Sequence, residues 1–163
     1  MSELRFLADK TVGRLAKWLR LLGYDCRFIN SSDVQEIIHA TKEDTRILLT
    51  KNTKFVKDSD IEILFIKSDD ITKQLKQIIN KYSLSIQCER FLSVCSICNV
   101  PVEEIDPEKV RGIVPPYVFA TRKTFRRCPQ CGRVYWAGTH KTRMIDRLKE
   151  TLDSERAVSS DKT

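Results

Sequence analysis

The first half of the chain alternates between short apolar runs and longer segments with helical periodicity. A strand is predicted wherever an apolar run of a few residues is bounded by polar or turn-forming residues. Four such runs occur, at residues 4–8, 25–29, 46–50 and 61–66. Because strands that alternate with helices favour parallel pairing, the pattern predicts an α/β fold with a doubly wound parallel sheet.

The segments between these strands are predicted to be helical. After the first strand, apolar residues fall on one helical face at Val12, Leu15, Ala16, Leu19 and Leu22. The opposite face carries Lys10, Arg14, Lys17 and Arg20, and Gly23 is expected to end the helix. Further helices are predicted over residues 34–43 and 71–82, with a short helical turn at 53–56.

The pattern changes after Leu84. Two Cys-x-x-Cys pairs frame a segment with four prolines, which is too interrupted for long elements. A helix is predicted at about residues 143–152, and the polar tail after it is expected to be frayed. We therefore expect an α/β domain at 1–84, a small cysteine-framed unit with a C-terminal helix at 85–152, and a tail at 153–163.

Composition and charge narrow the class of protein. The chain has 163 residues and a net charge of +7. It contains neither a bilayer-spanning apolar run nor the features of a secretory signal peptide, so we expect a cytoplasmic protein without a membrane partner.

The positive charge is concentrated in the second half of the chain. Residues 111–147 contain nine basic residues and one acidic residue, interleaved with aromatic side chains. Concentrated positive charge favours polyanions, and aromatic side chains stack on bases, so nucleic-acid contact is expected. The alternative is a charged surface that serves solubility alone. The candidate residues for this contact are Lys10, Arg14, Lys17, Arg122, Lys123, Arg126, Arg127, Arg133, His140, Lys141 and Arg143.

The cysteine pairs have the spacing of a structural zinc site, with predicted ligands Cys95, Cys98, Cys128 and Cys131. Two such turns can complete a closed tetrahedron around one ion. Disulfides are the alternative, although a cytosolic chain keeps its thiols reduced. A redox-active pair is a further alternative, although neither pair lies at a strand-to-helix junction.

The remaining cysteines and the two histidines receive simpler interpretations. Cys26 and Cys88 are predicted to be packed thiols. His140 is expected to be a polar or phosphate-facing residue, and His39 a structural one.

Acidic residues follow the predicted strands. Asp9 comes directly after the first strand, Asp33 and Glu36 follow the second, and Asp69 and Asp70 follow the fourth. Because the carboxyl ends of parallel strands share one edge, these acids are expected to converge there and to hold Mg²⁺ or Mn²⁺ for phosphodiester hydrolysis. Asp33, Asp69 and Asp70 are also ordinary helix caps.

These features together resemble a known family. The segments are Phe6-Leu-Ala-Asp9, Val12-Gly-Arg-Leu-Ala-Lys-Trp-Leu-Arg-Leu-Leu-Gly-Tyr-Asp25, Ile47-Leu-Leu-Thr50, Cys95-x-x-Cys98-Asn99, Val114-Pro-Pro116, Arg127-Cys-Pro-x-Cys-Gly-Arg-Val-Tyr-Trp136 and Gly138-Thr-His140. They are similar to the PIN-like domain and fused zinc ribbon of the Mut-seven carboxy-terminal ribonuclease family, over about residues 4–150.

The resemblance implies a Rossmann-type PIN-like sheet, a zinc ribbon with four cysteine ligands and a metal-dependent ribonuclease. It assigns metal-binding acids to Asp9, to Asp33 or Glu36, and to Asp69 or Asp70. The family's third strand typically ends in Thr-Arg-Asp, whereas this chain has Thr50-Lys51-Asn52. An amide brings no negative charge to a cation, and Lys10 is a further departure, so a two-metal site is not expected.

Two hypotheses follow. In the first, the protein is a ribonuclease that uses one Mg²⁺ or Mn²⁺, and its zinc ribbon contacts the RNA. In the second, it is a weakened PIN-like module that binds RNA, or a ribonucleoprotein such as the ribosome, without cleavage. A ribbon that binds only protein would leave its concentrated positive charge unexplained.

Overall fold

The sheet lies at the centre of the first unit. A computed structural model describes residues 3–55 and 60–160, with side chains described as far as residue 154. Its four parallel strands are β1 (Phe6–Asp9), β2 (Cys26–Ile29), β3 (Ile47–Thr50) and β4 (Ile63–Phe65). Their order is β2-β1-β3-β4. The two inner strands are buried along their whole length, which is why their sequences are almost entirely apolar.

Helices cover both faces of this sheet, as predicted for a doubly wound fold. They are α1 (Gly13–Leu21), α2 (Val34–Glu43) and α3 (Ile71–Tyr82). One face packs against α1 and α3, and the other against α2. The bounds of α2 and α3 agree with the prediction. At the predicted turn, Thr53 and Lys54 form a turn, and Val56 lies outside the described residues.

The second unit contains the two cysteine pairs and a small antiparallel sheet. We call residues 85–138 the cysteine unit. Its strands β5 (Glu103–Ile105), β6 (Phe125–Arg127) and β7 (Val134–Tyr135) are short, and a single short helix, α4 (Pro116–Thr121), connects β5 to β6. The strands run in the order β5-β6-β7.

The C-terminal helix is longer than predicted and packs on the unit that contains the parallel sheet. Helix α5 runs from Thr139 to Ser160, through most of the segment predicted to be a frayed tail. Its segment 154–160 contains neither glycine nor proline, so nothing in the sequence interrupts it. Its residues Ile145, Leu148 and Leu152 are buried in the core that α1 and α3 form on the sheet. Among the described residues, no helix is long and apolar enough to cross a membrane.

Candidate functional site

Asp9 is the only buried carboxylate among the described residues, with 1% of its surface exposed. It ends the central strand β1 and caps the 3-10 turn that leads into α1. Oδ1 accepts hydrogen bonds from the Thr11 amide (2.9 Å) and the Thr11 hydroxyl, and Oδ2 accepts one from the Thr50 hydroxyl. Both carboxylate oxygens therefore have donors supplied by the protein.

The two threonines connect Asp9 to the end of β3. The Thr11 hydroxyl accepts a hydrogen bond from the Lys51 amide, and the Thr50 hydroxyl accepts one from the Asn52 amide, each at 2.9 Å. Each hydroxyl thus relays a backbone N–H dipole to the same carboxylate. The side chain of Asn52 is turned to its own loop, where Oδ1 accepts from the Lys54 amide at 3.0 Å.

Two lysines flank this network at the carboxyl edge of the sheet. Lys10 donates to the Ser32 hydroxyl in the loop after β2. Lys51 forms an ion pair with Asp69 in the loop after β4. The ammonium group of Lys10, the residue after Asp9, is therefore engaged by the loop after β2, and that of Lys51 by the loop after β4.

The other predicted acids lie farther out along this edge. Asp33 and Asp70 cap α2 and α3 by accepting backbone amides, Glu36 bonds to Ser31, and Asp69 is almost fully exposed. Neighbouring strands lie about 4.8 Å apart, so the outer strands β2 and β4, and the loops that follow them, are separated by about 14 Å.

The strand order separates the acids after β4 from Asp9, whereas the acids after β2, the neighbour of β1, are engaged at the start of α2. A shared edge brings together only the ends of adjacent strands, and β1 has β3, which ends in an amide, between it and β4. Within the described part of the chain, no acids form a cluster of three that could hold a cation. One hydrogen-bonded carboxylate does not make the donor set of a Mg²⁺ or Mn²⁺ site. The catalytic roles of these residues therefore stay predictions.

The four predicted zinc ligands do come together. The Sγ atoms of Cys95, Cys98, Cys128 and Cys131 all lie within 4.8 Å of one another, and this group could hold a metal ion such as zinc. Four thiol ligands and no other donor match the closed set of a structural zinc site. Cys95 and Cys128 are buried and Cys131 is exposed, so the centre lies at the surface of the cysteine unit.

Hydrogen bonding prepares one of these thiols for a metal. Burial raises the pKa of Cys95, but hydrogen bonds from the Tyr135 hydroxyl and the amides of Cys98 and Ile97 outweigh it and lower the pKa to about 6. Desolvation and hydrogen bonds with the neighbouring thiols raise the pKa of Cys98 to about 12. One thiolate therefore opposes the ionisation of the next unless a cation lies between them.

The two other cysteines differ from each other. Cys26 is fully buried, as predicted, and burial raises the pKa of its thiol to about 12. The prediction of a packed thiol at Cys88 is wrong: its side chain is exposed, and its Sγ lies 2.9 Å from Lys149 Nζ. Cys88 begins a short 3-10 turn, Cys88–Arg90, in which no residue is buried. His39 and His140 are both exposed, and His39 contacts Glu43.

Arg20 is the largest departure from the predicted surface of α1. It was placed on the polar face, but it is buried, and its guanidinium donates to the carbonyls of Cys26, Ser96 and Ile97. The first Cys-x-x-Cys turn is thereby attached to α1 and β2. A signal was present in the sequence, because Trp18 and Leu21 add apolar residues outside the stripe that faces the sheet, and both pack against the cysteine unit.

Asn99 attaches the same turn to the sheet. Its Oδ1 accepts a hydrogen bond from the Cys26 amide at 3.0 Å, and its Nδ2 donates to Asp25 at 2.6 Å. Asn99 has a φ of 58°, a left-handed conformation that asparagine tolerates better than most residues. At Gly23, an added Cβ would lie 2.5 Å from the Arg90 carbonyl oxygen, so glycine permits the close approach of the two units.

The predicted RNA-binding residues divide into two groups. Arg126 donates to the carbonyls of Phe91 and Leu92, and Arg122 lies 3.3 Å from the Thr139 hydroxyl. Residues Arg126 and Arg127 also stand opposite Glu104 and Glu103 across the β5–β6 pair, which offsets part of the local charge. The rest are exposed or half-buried: Lys10, Arg14, Lys17, Lys123, Arg133, His140, Lys141 and Arg143.

Lys141 shows how closely these cations are placed. Burial lowers the pKa of its ammonium group, and the neighbouring Arg133 lowers it further. Two cations near each other in a partly desolvated place favour the binding of an anion between them.

Comparison with known proteins agrees with this arrangement. No curated protein and no solved structure matches the chain. The family model of the Mut7-C RNAse domain matches residues 4–148, which include the parallel sheet, Asp9 and all four clustered cysteines. Because that match spans nearly the whole chain, the protein belongs to the Mut7-C RNAse domain family.

Proposed function

We propose that this protein binds RNA and acts as a ribonuclease at the carboxyl edge of its parallel sheet. The observation that carries the proposal is the buried Asp9 at the end of a central strand, in a chain of this family. The exposed cation Lys10 follows it directly in the 3-10 turn, and the exposed cations Arg14 and Lys17 are on α1. A phosphate held by these cations would lie beside the single buried carboxylate.

The cation that the family implies meets only part of its donor set here. A bound Mg²⁺ or Mn²⁺ would supply charge neutralisation and an activated water for hydrolysis. Asp9 is the residue that would hold it, together with Asp33 or Glu36 and with Asp69 or Asp70. These outer acids cap helices or are exposed. Asp9 is instead expected to orient the groups around it through Thr11 and Thr50.

Zinc has a structural role in this proposal. A centre of four thiolates leaves no coordination position for a substrate, so its expected contribution is to fold the cysteine unit that carries the second set of cations. Reduced thiols are needed for this, which fits a cytoplasmic protein.

Binding without cleavage is the second candidate function. It is favoured by the side chain of Asn52, which is engaged in its own turn, and by Lys51, which neutralises Asp69. In that case the target is RNA itself or a ribonucleoprotein such as the ribosome.

Cleavage assays on four proteins distinguish the two functions. The unchanged protein is compared with Asp9→Asn and Asn52→Asp on labelled single-stranded RNA and DNA, in Mg²⁺ and in Mn²⁺. Asp146→Asn, an exposed acid on α5, serves as the control. Asn52→Asp keeps an oxygen that can accept the Lys54 amide, so the turn is expected to persist.

Each outcome has a definite meaning. Cleavage of RNA by the unchanged protein and by Asp146→Asn, but not by Asp9→Asn, supports the ribonuclease. Cleavage only by Asn52→Asp shows that the amide has inactivated a competent scaffold. No cleavage by any of the proteins, with retained RNA binding, leaves the second function. Equal cleavage by Asp9→Asn would show that the activity comes from elsewhere.

A further inference from the structure

An exposed aromatic ring lies beside α1, close to the carboxyl edge. Phe28 is on the edge strand β2, and 41% of its surface is exposed although it is a large apolar residue. Its register partner on β1 is Ala8, the residue before Asp9. The ring rests against Gly13 at the start of α1, where an added Cβ would lie only 3.0 Å from Phe28 Cε2.

The ring forms one wall of a cavity of about 400 Å³ between the two units. Ile97 of the first Cys-x-x-Cys turn, which is 47% exposed, lines the same cavity. Arg14 and Lys17 stand at the rim, and neither forms an ion pair with any residue that the structure describes. Buried Arg20 fixes the Ile97 wall, since it binds the Ser96 and Ile97 carbonyls.

A second cavity, of about 500 Å³, borders the same turn. Ser96 lines both cavities, and the second is bordered by Trp136, Arg133, His140 and Lys141. No carboxylate in the described part of the chain lines either of them. We call the two cavities together the groove. It therefore combines apolar or aromatic surfaces with cations along its whole length.

We propose that the groove binds single-stranded RNA, with an unpaired base stacked on Phe28 against Ile97 and the adjoining phosphates held by Arg14 and Lys17. The strand then passes Ser96 toward Trp136 and Lys141. This inference rests on the proposed RNA binding and adds the strandedness and the position of the RNA.

The chemistry favours a single strand over a duplex. A base in a duplex is covered on both faces by its neighbours and cannot stack on a protein side chain, whereas an unpaired base can. An apolar wall with cations at its rim suits a flat base joined to a charged backbone. The register of Phe28 beside Ala8 also directs the RNA toward Asp9, because adjacent strands lie about 4.8 Å apart.

The test measures RNA affinity and its salt dependence for the full-length, zinc-loaded protein without added divalent cations. The probes are a labelled short poly-adenosine strand and a labelled RNA duplex of equal length, followed by fluorescence anisotropy. Phe28→Leu removes the ring but keeps an apolar side chain. Tyr117→Leu is the matched control, because Tyr117 is 71% exposed and lines neither cavity.

Phe28→Leu is expected to weaken single-strand binding about tenfold. The slope of log K against log salt should not change, because no charge is removed. The double variant Arg14→Gln with Lys17→Gln should reduce the magnitude of that slope by about 1.4, about 0.7 for each phosphate contact on a single strand. Tyr117→Leu should bind like the unchanged protein, and the duplex should bind more weakly than the single strand.

A second variant protects the test against misfolding. Gly13→Ala keeps the ring but crowds it, and alanine favours the helix relative to glycine. Weaker RNA binding by this variant, with undiminished thermal stability, supports the stacking of a base on Phe28.

The alternative outcomes separate this inference from the proposed function. Phe28→Leu and Gly13→Ala could both bind as tightly as the unchanged protein while the double variant binds more weakly. In that case RNA binding stands, and the stacking of a base on Phe28 is overturned. Equal affinity for duplex and single strand overturns the strandedness. If the unchanged protein binds neither RNA, both the inference and the proposed function fail.

Discussion

The carboxyl edge of the sheet and the groove beside α1 both gather charged residues, but they are built in opposite ways. At the carboxyl edge, Asp9 is bonded to two threonines, Lys51 to Asp69 and Lys10 to Ser32. In the groove, cations stand at the rim of cavities that no described carboxylate lines. The edge satisfies its own charges, whereas the groove presents charge to a ligand.

This difference separates catalysis from the binding of a polyanion, two tasks that a sequence motif tends to assign to the same residues. A strand end with an acid indicates where chemistry would occur, but it does not hold a polyanion by itself. The proposed binding surface lies where α1 meets the cysteine unit, so it requires both units to be folded and attached. Disrupting each region should therefore have distinct consequences.

The largest expected effect comes from removing a ligand of the metal that the cysteine cluster could hold. Cys128→Ser deletes a buried member of the cysteine cluster, and structural zinc contributes on the order of 10 kcal/mol to folding in small domains. We expect loss of bound zinc and unfolding of the cysteine unit, with the parallel sheet retained. Zinc content and near-UV circular dichroism are the measurements.

Cys88→Ser is the matched control, because Cys88 is exposed and outside the cluster. It should keep one zinc per chain and an unchanged spectrum. Stoichiometric zinc in Cys128→Ser, or its loss in Cys88→Ser, would mean that the ligand set is wrong.

The next effect tests how the units are attached. Arg20→Leu leaves three carbonyl oxygens without their charged donor and should cost about 3 kcal/mol of unfolding free energy. Lys17→Gln, on the same helix but exposed, should change that free energy by less than about 0.5 kcal/mol. Urea unfolding measures both, and similar values for the two variants would contradict the structural role of Arg20.

The sequence specified the first unit closely because its signals are local. The caps at Asp33 and Asp70 and the periodicity of the segments that follow them fixed α2 and α3, and the Cys-x-x-Cys spacing identified the cluster. These are properties of neighbouring residues, so no tertiary information was needed.

What the sequence could not provide depends on contacts between distant segments. The burial of Arg20 requires the first Cys-x-x-Cys turn, which lies more than seventy residues away in the chain. The separation of Asp9 from the acids after β4 follows from the strand order, and strand order does not appear in hydrophobic periodicity. The groove could not be predicted for the same reason, because Phe28 and Ile97 line one cavity only when the two units are packed together.

A smaller effect tests the closed network at the carboxyl edge. Thr50→Val keeps the shape of a fully buried side chain but removes the hydroxyl that joins Asp9 to the Asn52 amide. Leaving these two polar groups unpaired should cost about 2 kcal/mol of unfolding free energy.

Thr41→Val provides the comparison, because Thr41 is equally buried and its hydroxyl only donates to a carbonyl of its own helix. Removing the Thr41 hydroxyl should leave the free energy of unfolding nearly unchanged. Thermal and urea unfolding of both variants measure the difference, and equal destabilisation would show that the network at Asp9 adds nothing beyond packing.

The smallest expected effect is a pH dependence at the contact between the units. Burial raises the pKa of Asp25, but hydrogen bonds from Arg46 and Asn99 outweigh it, so the pKa in the folded protein lies below its usual value. Asp25 therefore contributes stability that is complete above its unfolded-state pKa of about 4 and is lost as the pH falls through the folded-state pKa. Asp25→Asn should reduce stability slightly at neutral pH and flatten the loss of stability in acid.

Asp44→Asn also removes a carboxylate bonded to Arg46 but has no contact with Asn99, so it controls for zinc release by acid. Urea unfolding at several pH values, followed by tryptophan fluorescence, measures both. If the two variants lose stability in parallel, Asp25 acts through Arg46 alone and does not couple the cysteine unit to the sheet.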